Sequence, residues 1–172
     1  RASHRQLHHW VFLIDAQVND YEEACDEAAG ARAPCGERSV GRLTANLTVA
    51  DMGIEDAPAG WTRATPLVMT PHCHAPSCID IRLFRNDSGT PQLLCRQASK
   101  YGQGDFAHDK WDEAGYITLP PCLWGDDEGL DAAPWLPDNT PVFSIKRNRN
   151  THLGHFGEMA SWQMRGVDFP HP

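Results

Sequence analysis

Two histidines one residue apart, His72 and His74 in Thr70-Pro71-His72-Cys73-His74, are the residues of this chain best suited to chemistry. Side chains on a strand alternate between faces, so these two imidazoles share one face. Met159 lies far downstream, at the end of Thr151-His152-Leu153-Gly154-His155-Phe156-Gly157-Glu158-Met159. A thioether brought beside two imidazoles makes a soft N,N,S donor set, which suits copper and Cu(I) above all. Cys73 must point to the opposite face from both histidines and is better placed for a disulfide than for a metal. Met164 has the opposite parity to Met159, so a regular strand presents at most one of them to the pair. The other is core, the commoner role of methionine. His152 and His155 sit in a glycine-containing loop and are alternative or additional ligands. His72, His74 and His155 together would also suit tetrahedral zinc.

The elements that must position these residues read mostly as β. Trp10 to Ala16 is an apolar run, read as a buried strand. Asp20 is a candidate N-cap with Glu23 at the capping-box position, so Tyr21 to Ala29 reads as a short helix stopped by Gly30. From Gly41 the pattern changes. Leu43, Ala45, Leu47 and Val49 alternate with polar residues. Leu67 to His74 is a second strand of this part, and Ile79, Ile81 and Leu83 mark a third. Asn86-Asp87-Ser88-Gly89 turns the chain into Gln92 to Gln97, a hairpin. Lys100 to Gly115 and Cys122 to Pro141 read as long loops, with a short strand at Tyr116 to Leu119 between them. Val142 to Lys146 and Glu158 to Val167 complete the set. Short strands joined by Pro- and Gly-rich segments predict one all-β domain, an antiparallel jelly-roll-like sandwich with one short N-terminal helix. Residues 1–40 form its N-terminal strand, helix and Cys25/Cys35 loop, and 41–172 its core.

Composition narrows the function classes. The 172 residues carry a net charge of -8, and the only basic cluster is Lys146-Arg147-Asn148-Arg149. A chain this acidic is a poor partner for nucleic acid. No apolar run is long enough to predict a membrane span. Six cysteines, Cys25, Cys35, Cys73, Cys78, Cys95 and Cys122, make an even set that predicts three disulfides. Cys25–Cys35 pair by proximity, and the remaining four form the other two bonds. Asn46-Leu47-Thr48 and Asn86-Asp87-Ser88 are N-glycosylation sequons. Cysteines and sequons together predict a secreted or luminal glycoprotein. Arg1-Ala2-Ser3-His4 reads as a start left by processing of a longer precursor. Ser77 and Ser161 lack a nucleophile-elbow setting, no phosphate loop follows a strand, and no carboxylate pair stands out, so no catalytic acid, base or nucleophile is named. Nor does a glutamate follow the histidine pair within a few residues, as a cupin-type site would need.

A His-x-His pair, followed far downstream by Thr-His-x-Gly and then Glu-Met-x-x-x-x-Met, resembles the catalytic domain of the copper type II, ascorbate-dependent monooxygenases. These are the peptidylglycine α-hydroxylating and dopamine β-monooxygenase enzymes. The matching stretches are Pro71 to His74 and Thr151 to Met164. The resemblance implies a β-jelly roll in which His72, His74 and Met159 hold an oxygen-activating copper. It also implies a second copper, on three histidines of a separate domain, to supply an electron for C–H hydroxylation. These residues leave no room for that domain. His8-His9 resembles its double histidine but opens an apolar strand. The expected function is therefore a secreted copper-binding domain, with enzymatic activity left open. The alternative is a non-catalytic extracellular assembly or matrix module on the same fold, its metal structural or absent. Trp61, Trp111, Trp124 and Trp135 would then form contact surfaces through which copies self-associate.

Overall fold

The computed structural model describes residues 7–14, 40–55, 63–75, 77–102, 114–149 and 159–167. Their strands are β1 (His8–Ile14), β2 (Val40–Thr48), β3 (Gly53–Glu55), β4 (Arg63–Cys73), β5 (Cys78–Arg85) and β6 (Gln92–Ala98). They continue with β7 (Lys100–Tyr101), β8 (Ile117–Thr118), β9 (Cys122–Leu123), β10 (Leu136–Pro137), β11 (Pro141–Arg149) and β12 (Ala160–Val167). A 3-10 turn at Val49–Asp51 is the only helical element among the described residues. The fold is all-β and antiparallel. The expected helix at Tyr21 to Ala29 lies outside the described residues, as do Cys25 and Cys35.

Two sheets build the core. One runs β10-β4-β12-β1-β3, with β9 also on β4; the other runs β2-β11-β5-β6, and β7 and β8 form a separate pair. Alternation decides which side chains go inside. On β5, Ile81 and Leu83 are buried; on β12, Ala160, Trp162 and Met164 are. These join Met69, Val142, Val49, Cys95 and Leu136 in one cluster fed by both sheets. Trp162 Nε1 donates to Ser144 Oγ at 2.8 Å, and Ser144 Oγ donates to the Arg82 carbonyl at 2.9 Å, so the core indole finds a partner across the two sheets.

Both described disulfides join one sheet to the other. Cys73–Cys78 links the end of β4 to the start of β5, and Cys95–Cys122 links β6 to β9. This resolves the pairing the sequence leaves open. The strand boundaries also shift. β4 begins at Arg63 rather than Leu67, and β11 runs to Arg149 rather than Lys146. Ladder hydrogen bonds extend a strand through polar residues that apolar alternation does not flag. The expected long loops contain short strands: β7 begins the first, and β9 and β10 lie in the second.

Prolines act where the sheet tolerates them. The β4–β12 register shifts between Arg165 and Gly166, where Pro66 faces Gly166 and Leu67 is the extra residue. Pro71 lies beyond Met69, the last β4 position that pairs with β9, so there β4 has β12 as its one described neighbour. His72 therefore lies on, and His74 just beyond, a stretch of β4 that has one neighbouring strand among the described residues.

Candidate metal centre

β4 and β12 pair along the stretch that ends at the predicted ligands. Their antiparallel register sets Cys73 opposite Ala160 and His72 opposite Ser161. Directly opposed residues share a sheet face. Cys73 and Ala160 are buried on the inner face. His72 is on the other face and exposed. His74 follows the end of β4 and Met159 immediately precedes β12, so the next step outward along both chains is these two residues; both are half-buried. The rings of His72 and His74 lie edge to face, with centroids 5.1 Å apart. Met164 is fully buried two sheet positions inside Trp162's edge of the core, paired with Met69.

The short turn between the sheets is tied down. The Cys73–Cys78 bond closes it at a sequence separation of 5. The Cys78 carbonyl accepts from Ser99 Oγ at 2.5 Å and from the Tyr101 hydroxyl at 2.8 Å. Ser99 Oγ also reaches the Ile79 carbonyl at 3.0 Å. His74 thus emerges from a turn with one end bonded to a buried sulfur and the other held by two hydroxyls.

His72 is held below the ordinary histidine range, first by partial burial, then by the charges of His74 and Lys146. Its neutral form, the one that carries a lone pair for a metal, is favoured at neutral pH. Lys146 is itself fully buried, on the inward-facing row of β11 with Val142, Ser144 and Asn148. Lys146 belongs to the one basic cluster of the sequence, yet β-alternation turns it inward and leaves Arg147 half-exposed.

Two imidazoles and a thioether are a soft donor set of the kind copper takes. Among the described residues no three His, Cys, Asp or Glu side chains gather into a metal-binding group. A site here therefore needs the Met159 sulfur or a ligand from outside the described residues. His152 and His155 lie outside the described residues, as do the side chain of His8 and the tryptophans Trp61 and Trp111. Trp124 is half-buried against the core and Trp135 is exposed.

No family model matches the chain, and neither a curated protein nor a solved structure does. The site is therefore judged on its own residues.

One cluster escaped the sequence reading. Asp80 on β5 is fully buried and receives Arg147 Nε on Oδ1 at 2.6 Å, Arg82 Nη2 on Oδ2 at 2.7 Å and Arg96 Nη2 at 3.4 Å. Burial pushes its carboxyl up, but hydrogen bonds from Arg147 and Arg82 and their charges outweigh that and hold it below the usual carboxylate range. The signal was Asp80-Ile81-Arg82 inside an apolar strand, a carboxylate and a guanidinium sharing one face. Arg96 and Arg147 come from other strands, which spacing does not reveal.

Proposed function

We propose that this chain is a secreted copper-binding β-sandwich of jelly-roll type, similar to the oxygen-activating half of the ascorbate-dependent copper monooxygenases. His72 and His74 supply two imidazole nitrogens and Met159 a thioether sulfur. The observation that carries the reading is the β4–β12 register, which sets Ser161 across from His72 and Ala160 across from Cys73, with His74 the residue after β4 and Met159 the residue before β12. Two disulfides among the described residues favour an oxidising compartment. No described helix is long and apolar enough to cross a membrane.

Bound there, copper would supply one-electron chemistry toward dioxygen. The chain's own residues do the rest. The Cys73–Cys78 turn orients His74. The His72 side chain is exposed on the outer face. Burial first, then the charges of His74 and Lys146, disfavour a proton on His72, which leaves its lone pair available. Tetrahedral zinc, with His155 as third ligand, is the alternative occupant.

The deciding experiment is anaerobic Cu(I) titration of purified protein against a chromophoric chelator, with His72→Ala alongside. One Cu(I) per chain, weakened in the variant, supports the reading. Equal binding by both, or none by either, ends it. Ascorbate-dependent oxygen uptake by the loaded protein then separates an enzyme from a binder.

A second reading, an extracellular assembly module, draws on one observation. Leu123, Leu130 and Trp135 are 49%, 39% and 53% exposed within one short segment of chain. Exposed apolar residues this close together suit a contact surface. Concentration-dependent mass in light scattering, abolished by Trp135→Ser, is its test.

A further inference from the structure

We infer that Asn46 carries an N-linked glycan that lies on an aromatic platform and shields an edge strand, and that Asn86 does not. The inference rests on the extracellular part of the reading above and is independent of copper.

The two sequons sit in different surroundings. Asn46 is exposed near the end of β2, while its neighbour Leu47 packs inward against the core. β2 is nine residues long and forms one edge of its sheet, with β11 as its one partner among the described residues. A long edge of this kind offers free N–H and C=O groups to another chain's strand. A bulky, hydrated sugar on its outward face blocks that approach.

The platform lies on the next two strands. Asn46 is directly opposite Phe143 of β11, so the two side chains leave the same face. The Phe143 ring stacks on Phe84 of β5, centroids 4.9 Å apart and planes 12° from parallel. Both rings are only half-buried on the outside of the sandwich. Half-exposed aromatic faces beside a sequon asparagine match the apolar C–H face of the first sugar, and covering them removes apolar area from water.

Asn86 has neither feature. It sits in the β5–β6 turn, half-buried, with its backbone N–H donating to the Pro141 carbonyl at 2.9 Å. Its Oδ1 is buried with no hydrogen-bond partner. Arg85 and Asp87 close over the turn as an ion pair on either side of it. A sugar on this carboxamide would have to draw the group out of that packing.

The covalent step uses a lipid-pyrophosphate-linked oligosaccharide as donor. Asn46 Nδ2 forms a bond to the anomeric carbon of the first sugar, the bond from that carbon to the pyrophosphate oxygen breaks, lipid pyrophosphate leaves, and Nδ2 gives up one proton.

The test is secretion of the chain from a glycosylating eukaryotic host behind a cleavable leader, with intact mass, free-thiol count and thermal midpoint read on the same material. The expected result is a single glycan, lost in Asn46→Gln and kept in Asn86→Gln. Enzymatic release of the sugar should lower the midpoint by about 3 °C in the wild type. It should leave Phe143→Leu, which keeps an apolar side chain but removes the aromatic face, unchanged. Secreted, fully disulfide-bonded protein without sugar, or with sugar at Asn86 alone, overturns the inference and leaves secretion standing. A midpoint indifferent to sugar release in the wild type overturns the platform. A chain retained in the cell with free thiols overturns this inference and the extracellular reading together.

Discussion

The histidine pair and the Asp80 cluster are separated in sequence by one disulfide-closed turn, yet they are opposite kinds of polar site. Asp80 has spent its lone pairs. Three guanidinium groups from three strands converge on one buried carboxylate, and nothing of it faces solvent. His72 and His74 are arranged the other way, at and just beyond the end of β4, with His72 exposed and biased against protonation. Strong mutual satisfaction makes a region a structural clamp. An exposed imidazole beside a tied-down turn makes a region able to take a ligand. Charge density alone does not separate the two; what separates them is how far each side chain is buried among opposite charges.

The sharpest way to break this comparison is to remove the clamp. Asp80→Asn should destabilise the fold by about 3–5 kcal/mol, since it leaves three arginines without their buried counter-charge. Denaturant midpoints measure it. The same carboxylate sets an acid limit. Its folded pKa lies below its unfolded value, so its contribution is present above the unfolded value and is lost as pH falls through the folded one. Wild type should therefore lose stability on acidification through that window, and Asp80→Asn should show less of that loss.

At the other site the same kind of change should spare the fold and remove the ligand. His72→Ala should weaken Cu(I) binding about a hundredfold, roughly 2.8 kcal/mol, in the chelator competition. Its thermal stability should stay within about 0.5 kcal/mol of wild type, because the side chain is exposed. A large loss of stability would mean that the histidines are structural after all. Met159→Leu should cost about tenfold in Cu(I) affinity, roughly 1.4 kcal/mol, and less for Cu(II), which depends less on a soft sulfur. Met164→Leu, in the core, should leave copper affinity unchanged and cost under about 1.5 kcal/mol of stability.

The smallest effect concerns the buried amine. Lys146→Met should raise the His72 pKa toward its ordinary value, because one of the charges that opposes its protonation is gone. Imidazole shifts followed by NMR against pH measure it. Proton competition with copper should then set in at a higher pH than in the wild type.

The hairpin of β5 and β6 was readable because Asn86-Asp87-Ser88-Gly89 is turn chemistry between two alternating runs, and Gly89 does adopt a positive φ of 76°. The inward placement of Cys73 and its use in a disulfide were readable from strand parity alone. Which cysteine it meets was not, because pairing depends on where two sheets cross. The burial of Lys146 was not readable either, because which alternate residues of β11 go inward depends on the face of its sheet that packs against the other.

The sequence by itself determined the residue types and their periods: a His-x-His pair on one strand face, two downstream methionines of opposite parity, an all-β pattern and an even set of cysteines. These are local properties, set by the two-residue repeat of an extended chain. The tertiary structure decided what meets what. Register on β4 and β12 set His72 across from Ser161, sheet order gathered three arginines on Asp80, and the facing of two sheets closed both disulfides. Each of those contacts joins strands remote in sequence, and only the packing of two apolar faces against each other selects them.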